Sequence, residues 1–295
     1  MSGGTSGRAL FVEHPLDLVQ AMALARDTLR AGGRPILVST LPSRDLVRYQ
    51  SDSWRTVWDG IALRELRGPR AKLGQTLASV LASDGAGSIV VFGGGPDSPG
   101  AHAAAMRSLP VTRVGAQETG RILTAELPPL VEAARADAAR GVIEPPPETS
   151  YILAEFPFYP RLRSMGAGRL VSTLIETGET HELPVVWPLT PAERRKFGLT
   201  GSFAPLQCVE YPEIGAWTLM ASGARLIMTH LTSVQIAACV LGVPCVTALQ
   251  RTEAPETVEA GANLLAGANA TQIHLCVGIM ARKLSGWRNP YDPVA

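Results

Sequence analysis

The chain has 295 residues, of which 46% are hydrophobic and 18% charged, so it can bury a large core and is not intrinsically disordered. Its 27 Lys and Arg residues against 26 Asp and Glu residues leave a net charge of +1, which argues against nucleic acid as a partner. The sequence opens without a secretory signal, and its longest weakly polar run, residues 234–249, is too short and too interrupted to span a bilayer. We therefore expect a cytoplasmic protein with no membrane association.

The four cysteines lie in the second half of the chain without a CxxC pair. This spacing suggests neither a zinc site nor a redox motif, so we expect reduced, buried thiols, no metal and no cofactor.

In the first half of the chain, apolar runs rich in β-forming residues alternate with stretches of helical spacing. The predicted elements, in chain order, are a strand at 9–12, a helix at 17–31 closed by Gly32 and Gly33, strands at 35–39 and 88–92, a glycine-rich turn at 93–96, a helix at 99–108, a strand at 111–114 and a helix at 128–140. Repeated β-α-β units of this kind predict a parallel sheet with helices on both faces.

A polar, proline-rich segment at 144–150 is typical of a boundary between domains. Strand patterns then resume at 151–154, 169–175, 184–187, 225–228 and 245–248. We predict two α/β domains, 1–145 and 151–284, followed by a tail, 285–295. In such a protein the ligand is expected in a cleft, at the carboxyl ends of the strands.

The turn at 229–233, Thr-His-Leu-Thr-Ser, lies between a predicted strand and a predicted helix at 234–241. Thr232 or Ser233 can cap that helix. Alternatively, the free N–H groups and the positive end of the helix dipole can accept a phosphate or carboxylate.

The residues that follow carry a resemblance to a known family. Gly242 begins GVPCV, Thr252 begins TEAPETVEAGAN, and Leu265 begins LAG. In the same register, the C-terminal domain of the non-hydrolysing UDP-N-acetylglucosamine 2-epimerases has G-x-P-V, T-E-R-P-E-x-V-E-A-G-x-N and L-V-G. The sequence NPY at 289–291 is similar to the family's terminal N-P-Y-G, and residues 9–39 and 89–114 resemble its first domain more faintly.

This resemblance implies two Rossmann-like, doubly wound domains facing a central cleft, the glycosyltransferase type B fold. It also implies a small-molecule ligand such as a sugar nucleotide, and assembly as a homodimer or as a heteromer with a related subunit. By the same resemblance, a C-terminal helix around 273–284 and the tail 285–295 are expected to pack back toward the first domain.

The family reaction removes the proton at C2 of the sugar, expels UDP and re-adds both, which requires an acid, a base and cationic groups near the diphosphate. His14 and Val19 occupy the places of the family's phosphate-binding Arg and Lys. Catalytic or ligand-binding positions of the family correspond here to Gly94, Gly115, Pro157, Thr190, Ala237 and Ala254. The chain is also shorter than the family between Gly115 and Tyr151. We therefore predict that ordinary 2-epimerase chemistry is lost.

One hypothesis is a diverged enzyme that acts on a sugar nucleotide, nucleoside or glycoside. His230 replaces a family Asp beside a helix N-terminus, where the dipole favours a neutral imidazole that can act as a base. The candidate catalytic residues are His14, Asp97, Glu118 and His230, with Glu13 and Glu155 as further carboxylates. The candidate ligand-binding residues are Thr232, Ser233, Gln235, Thr252, Glu253 and Glu256.

The other hypothesis is a pseudoenzyme, a non-catalytic partner of an active subunit, in which the retained residues are scaffold. Glu13 and His14 then cap the first helix, and Asp97 is a turn residue. Glu118 is a solvated loop residue and His230 bonds to backbone. Glu253 and Glu256 cap a helix that has Pro255 in its first turn.

Overall fold

The computed structural model describes residues 6–41, 57–92, 98–157, 165–199, 201, 203–283 and 285–293. The chain divides into two compact units, Met1–Ile122 and Leu123–Ala295. Each unit is built on one sheet whose described strands all pair in parallel, with helices between the strands. The α/β fold class predicted from the sequence is confirmed, and the domain limits 1–145 and 151–284 stay a prediction.

Unit 1 carries the first β-α-β repeats. Its elements are β1 (Gly7–Val12), α1 (Pro15–Arg30), β2 (Pro35–Ser39), β3 (Ala62–Glu65), α2 (Arg70–Ser83), β4 (Ala86–Phe92), α3 (Pro99–Arg107), β5 (Val111–Val114) and the first turns of α4 (Ala116–Ala139). The strand order is β3-β2-β1-β4-β5. Because β1 and β2 are buried along nearly their whole length, they read as continuous apolar runs rather than as alternating ones.

Helix α1 begins at Pro15, two residues before the predicted start at 17, and ends at Arg30, one residue before the predicted end at 31. Pro15 stands at the first helical position, and the His14 side chain accepts a hydrogen bond from the backbone N–H of Leu16. At the other end Gly32 has a φ of +74°, a left-handed conformation that glycine adopts without strain.

Unit 2 holds the remaining strands and most of the remaining helices. Its elements after α4 are β6 (Ile152–Glu155), α5 (Ala167–His181), β7 (Val185–Leu189), α6 (Pro191–Phe197), β8 (Leu206–Glu210), α7 (Ile214–Gly223), β9 (Leu226–Thr229), α8 (Thr232–Leu241), β10 (Cys245–Thr247), α9 (Pro255–Glu259), β11 (Asn263–Leu265) and α10 (Ala270–Met280). The strand order is β11-β10-β9-β6-β7-β8. The order reverses between β6 and β9, so the topological switch point of this doubly wound sheet lies there.

The core of unit 2 lies on the sheet. Ile152, Trp187 and Leu226 contribute from three neighbouring strands, and Leu174 from α5 and Ile273 from α10 pack against them. All five are fully buried. This packing holds β6, β7 and β9 in place, and their carboxyl ends lie at one edge of the sheet.

The strand predicted at 169–175 is wrong, because these residues belong to α5. Leu170, Thr173, Leu174, Thr177 and Gly178 are buried, and their spacing of three and four residues is that of one helix face. A seven-residue window is too short to separate this spacing from that of a strand.

The helix predicted to begin at Pro128 begins twelve residues earlier, at Ala116, and contains Pro128 and Pro129 in its interior. Its buried face continues upstream through Leu123 and Leu127. Tertiary packing of that face therefore outweighs the usual tendency of proline to stand at a helix start.

The four cysteines are free thiols. Cys239, Cys245 and Cys276 are buried, as predicted, whereas Cys208 is half-buried. Burial raises the pKa of the Cys239 thiol to about 11 and that of Cys245 to about 12, which disfavours the reactive thiolate. Among the residues that the structure describes, no helix combines the length and the apolar character that crossing a bilayer requires.

Candidate functional site

The candidate site lies at the carboxyl edge of the unit 2 sheet, at its switch point. Strands β6 and β9 pair in parallel and end level with each other, with Glu155 opposite Thr229. The Thr229 hydroxyl donates to the Glu155 carbonyl at 3.0 Å and accepts from the Leu231 N–H at 3.0 Å. These two bonds fix the turn that leads from β9 into α8.

Helix α8 begins immediately after this turn. Its N-cap residue is Leu231, whose side chain offers no hydrogen bond to the helix. Thr232 and Ser233 are instead the first two helical residues, so the prediction that one of them caps α8 is wrong. The helix begins two residues before the predicted start at 234, because the Gln235 N–H already bonds to the Leu231 carbonyl, which makes Leu231 the N-cap.

The N-terminal end of α8 has backbone hydrogen-bond donors. The first intrahelical bond runs from the Gln235 N–H to the Leu231 carbonyl. The preceding N–H groups, those of Thr232, Ser233 and Val234, have no partner within the helix. Thr232 and Ser233 are half-buried, and their hydroxyls lie in the same turn. The positive end of the helix dipole and this set of donors favour an anion.

A buried polar network supports this turn. The side chain of Gln235 is fully buried, and its Oε1 accepts from the Thr252 hydroxyl at 2.6 Å and from Asn263 Nδ2 at 3.4 Å. The Asn263 Oδ1 accepts from the Thr247 hydroxyl at 2.9 Å. The Nε2 of Gln235 has no hydrogen-bond partner in the described part of the chain. The predicted ligand-binding residues Gln235 and Thr252 are therefore in direct contact, and Gln235 holds a spare donor.

The other predicted ligand-binding residues lie around α9. Pro255 stands in the first turn of α9, as predicted. Its N-cap, however, is Ala254, whose N–H donates to the Thr252 hydroxyl at 3.0 Å, so capping by Glu253 or Glu256 is wrong. Glu253 is exposed, whereas Glu256 is half-buried with its Oε2 3.5 Å from the Tyr291 hydroxyl.

His230 lies between β9 and α8 and is buried, with 2% of its surface exposed. Its ring stacks on Phe156, with the ring centroids 5.8 Å apart and the planes within 6°. Phe156 directly follows β6, so the stack joins the same two strand ends as the Thr229 hydrogen bonds. A catalytic role for His230 stays a prediction.

Two aromatic residues near this edge, Tyr211 and Trp217, are not predicted by the sequence patterns. The Glu155 carboxylate is buried, and its Oε1 accepts from the Tyr211 hydroxyl at 2.7 Å while its Oε2 accepts from Trp217 Nε1 at 3.0 Å. Tyr211 follows β8 and Trp217 lies in α7, two elements that the sequence patterns do not indicate. Only the pairing of β6, β7 and β8 brings these residues to one place.

The site residues predicted in the first part of the chain, His14, Asp97 and Glu118, are not at the carboxyl edge of the unit 2 sheet as far as the structure describes them; His14 and Glu118 lie at the starts of α1 and α4. His14 is the N-cap of α1 in a capping box with Asp17, which confirms the capping alternative for this residue. Burial raises the pKa of the Asp17 carboxyl to about 7. Glu118 lies in the first turn of α4 and is half-buried. Asp97 lies outside the described residues.

A metal is not indicated by the described residues. Among them, no group of three or more His, Cys, Asp or Glu side chains is arranged to hold an ion.

Comparison with known proteins gives one family match. The model of the family described as UDP-N-acetylglucosamine 2-epimerase matches residues 117–293, more than half of the chain. The UDP-N-acetylglucosamine 2-epimerase of Methanocaldococcus jannaschii is 31% identical over 128 residues, which is 41% of this chain and 35% of that protein. The enzyme of that name from Methanococcus maripaludis is 31% identical over 129 residues, 42% of this chain and 35% of that protein. The match thus spans about a third of the length of these relatives.

Solved structures show the same fold over nearly the whole chain. The Methanocaldococcus jannaschii UDP-GlcNAc 2-epimerase in complex with UDP-GlcNAc and UDP aligns with a TM-score of 0.69 at 19% identity, covering 97% of this chain and 95% of that one. The Neisseria meningitidis UDP-GlcNAc 2-epimerase bound to UDP-GlcNAc aligns with a TM-score of 0.67 at 14% identity and with the same coverage.

Proposed function

Because the chain belongs to the UDP-N-acetylglucosamine 2-epimerase family, we propose that it binds a sugar nucleotide or a related nucleoside or glycoside at the carboxyl edge of the unit 2 sheet. We further propose an altered-substrate enzyme in which ordinary 2-epimerisation is lost. The Methanocaldococcus jannaschii and Neisseria meningitidis proteins of this fold bind UDP-GlcNAc, which supports a nucleotide ligand.

The main support for this proposal is the uncapped start of α8. It lies at the switch point of the sheet, and no described side chain caps it. A diphosphate placed there would accept hydrogen bonds from the backbone N–H groups of Thr232, Ser233 and Val234. The hydroxyls of Thr232 and Ser233 add donors without adding charge.

Side chains around this turn would make further contacts with the ligand. Gln235 has a buried Nε2 in the first turn of α8, unpartnered among the described residues, and the Thr252 hydroxyl donates to its Oε1. Glu253 precedes α9 and Glu256 lies in its first turn, and both would accept from ligand hydroxyls. His230 is the candidate base, because it lies between the end of β9 and the start of α8, next to the proposed anion-binding N–H groups.

Thermal unfolding with UDP, UDP-GlcNAc, uridine and inorganic phosphate tests the proposal. A ligand present at a hundred times its Kd should raise the free energy of unfolding by about 2.7 kcal/mol. We expect stabilisation by UDP and little by uridine, because the diphosphate makes the contacts with α8. The absence of a shift with all four compounds would contradict the proposal and favour a non-catalytic partner of an active subunit.

A further inference from the structure

A buried side-chain amide joins the starts of α8 and α9. Asn263, the first residue of β11, donates from Nδ2 to Gln235 Oε1 in the first turn of α8 at 3.4 Å and to the Thr257 hydroxyl in α9 at 3.3 Å. Its Oδ1 accepts from the Thr247 hydroxyl of β10 at 2.9 Å. All four side chains are fully buried. One residue of the sheet edge therefore bonds to both helices.

The backbone of Ala254 sets the direction of these hydrogen bonds. The Thr257 hydroxyl donates its single proton to the Ala254 carbonyl at 2.8 Å, so its oxygen is left to accept from Asn263. The Thr252 hydroxyl accepts from the Ala254 N–H at 3.0 Å and donates to Gln235 Oε1 at 2.6 Å. A backbone N–H cannot become an acceptor, nor a carbonyl a donor, so the two side-chain amides have one favoured orientation.

Glu253 lies in the middle of this network. Its neighbours in the chain, Thr252 and Ala254, are both held by the hydrogen bonds just described, whereas Glu253 itself is exposed. Thr252 bonds to Gln235, so Glu253 is one residue away from a direct contact with the first turn of α8. An ionised carboxylate only accepts hydrogen bonds, and ribose hydroxyls are donors that acidic side chains bind in other α/β folds.

We propose that Asn263 and Thr252 are positioning residues, which hold Glu253 at a fixed distance from the start of α8 so that its carboxylate accepts from the ribose hydroxyls of a nucleoside diphosphate. The inference rests on the proposed function, because it takes the start of α8 as the place of the diphosphate. A weakened network then lowers the affinity for the nucleoside part of the ligand and leaves the affinity for a bare pyrophosphate as it was.

Isothermal titration of UDP and pyrophosphate into wild type, Asn263→Asp and Thr252→Val tests this inference. The Asp side chain has the size of Asn but, when ionised, no donor for Gln235 and Thr257, and Val has the shape of Thr without its hydroxyl. We expect wild type to bind UDP more tightly than pyrophosphate. Each variant should weaken UDP binding about tenfold and change pyrophosphate binding less than twofold. Thr252→Ser, which keeps the hydroxyl, should bind UDP as wild type does.

Thr218→Val is the matched control for Thr252→Val. Thr218 is fully buried in α7, and its hydroxyl donates to the Ile214 carbonyl of the same helix at 2.7 Å. This variant loses a buried hydrogen bond outside the network, so neither affinity should change.

Glu253→Ala separates positioning from a general effect on stability. It should reproduce the selective loss of UDP affinity, and adding Asn263→Asp to it should cause little further loss, because both changes remove the same contact. Thr252 is half-buried and precedes α9, so Thr252→Val with Glu253→Ala gives the same comparison if Asn263→Asp is too unstable to titrate.

Three results would overturn the positioning role alone: equal affinity of wild type for UDP and pyrophosphate, an equal loss of both ligands in Asn263→Asp and Thr252→Val, or losses that add in the double variant. Failure of wild type to bind either ligand would overturn the proposed function and this inference with it.

Discussion

Asp17 is a buried carboxyl at the start of α1, and its Oδ2 accepts from the backbone N–H groups of Glu13 and His14 at 3.1 and 3.0 Å. Burial raises its pKa from 3.8 to about 7, against the lowering effect of His14 and of the two N–H bonds. The folded protein therefore holds a proton on Asp17 up to about pH 7, which the unfolded chain releases near pH 4.

The sign of the pH dependence follows from this difference. Between about pH 4 and 7 the folded state binds more protons, so the contribution of Asp17 to the free energy of unfolding falls as the pH rises. We expect Asp17→Asn, which stays neutral and keeps an acceptor for the N–H groups, to lose this slope. At pH 8 the free energy of unfolding of Asp17→Asn, measured with urea, should be about 2 to 4 kcal/mol higher than that of wild type. At pH 4 the two values should be similar.

Asp27→Asn is the matched control, since Asp27 lies on the same helix with 62% of its side chain exposed. This variant should keep the wild-type slope. An unchanged slope in Asp17→Asn would contradict the raised pKa of Asp17.

At the scale of elements, the start of α8 differs from the start of α10, where the Asn269 side chain accepts from the Gln272 N–H at 3.0 Å. We expect Leu231→Asn to cap α8 in the same way, because Asn is among the best N-cap residues. Its side chain would occupy N–H groups proposed for the ligand. UDP affinity measured by titration calorimetry should therefore fall at least tenfold, a loss of about 1.4 kcal/mol, while the fold is kept.

Removal of the cap of α10 is the control that separates the effect of capping on stability from its effect on UDP binding. Asn269→Ala removes a cap and should lower the free energy of unfolding by about 1 kcal/mol without changing UDP affinity. If Leu231→Asn binds UDP as tightly as wild type does, the ligand does not use the start of α8.

Elements with strong local signals are predictable from the sequence, and elements that depend on tertiary packing are not. Strands β2 and β5 begin and end as predicted, and Gly32 follows the end of α1, as predicted. The strand predicted at 169–175 is wrong, because its apolar residues form one face of α5.

The same distinction holds within the site. The turn from β9 into α8 is visible as a polar break between apolar runs. The contacts of Glu155 with Tyr211 and Trp217 join residues more than fifty positions apart, so no local pattern reports them. The sequence therefore predicts the position of this turn but not the residues that bond to the Glu155 carboxylate.

At the scale of the whole molecule, a complete 2-epimerase reaction needs acids, bases and cations from many parts of the chain. The positions that resemble catalytic carboxylates of the family are glycines here, and each such loss costs a factor of about 10² to 10⁴. We expect no deuterium at C2 when the full chain is incubated with UDP-GlcNAc in D₂O, measured by NMR. The Methanocaldococcus jannaschii relative serves as the positive control, and enzymatic incorporation by this chain would show that the chemistry is retained.

The division between the two units falls at Ile122, inside the continuous helix α4, rather than in a loop. Proteases cut extended, exposed segments more readily than hydrogen-bonded helices. Limited digestion is therefore a poor way to separate the units, and truncation at this point would leave a broken helix on each fragment. Separation of the units would have to leave α4 whole on one of them, with its buried residues Leu123 and Leu127 still covered.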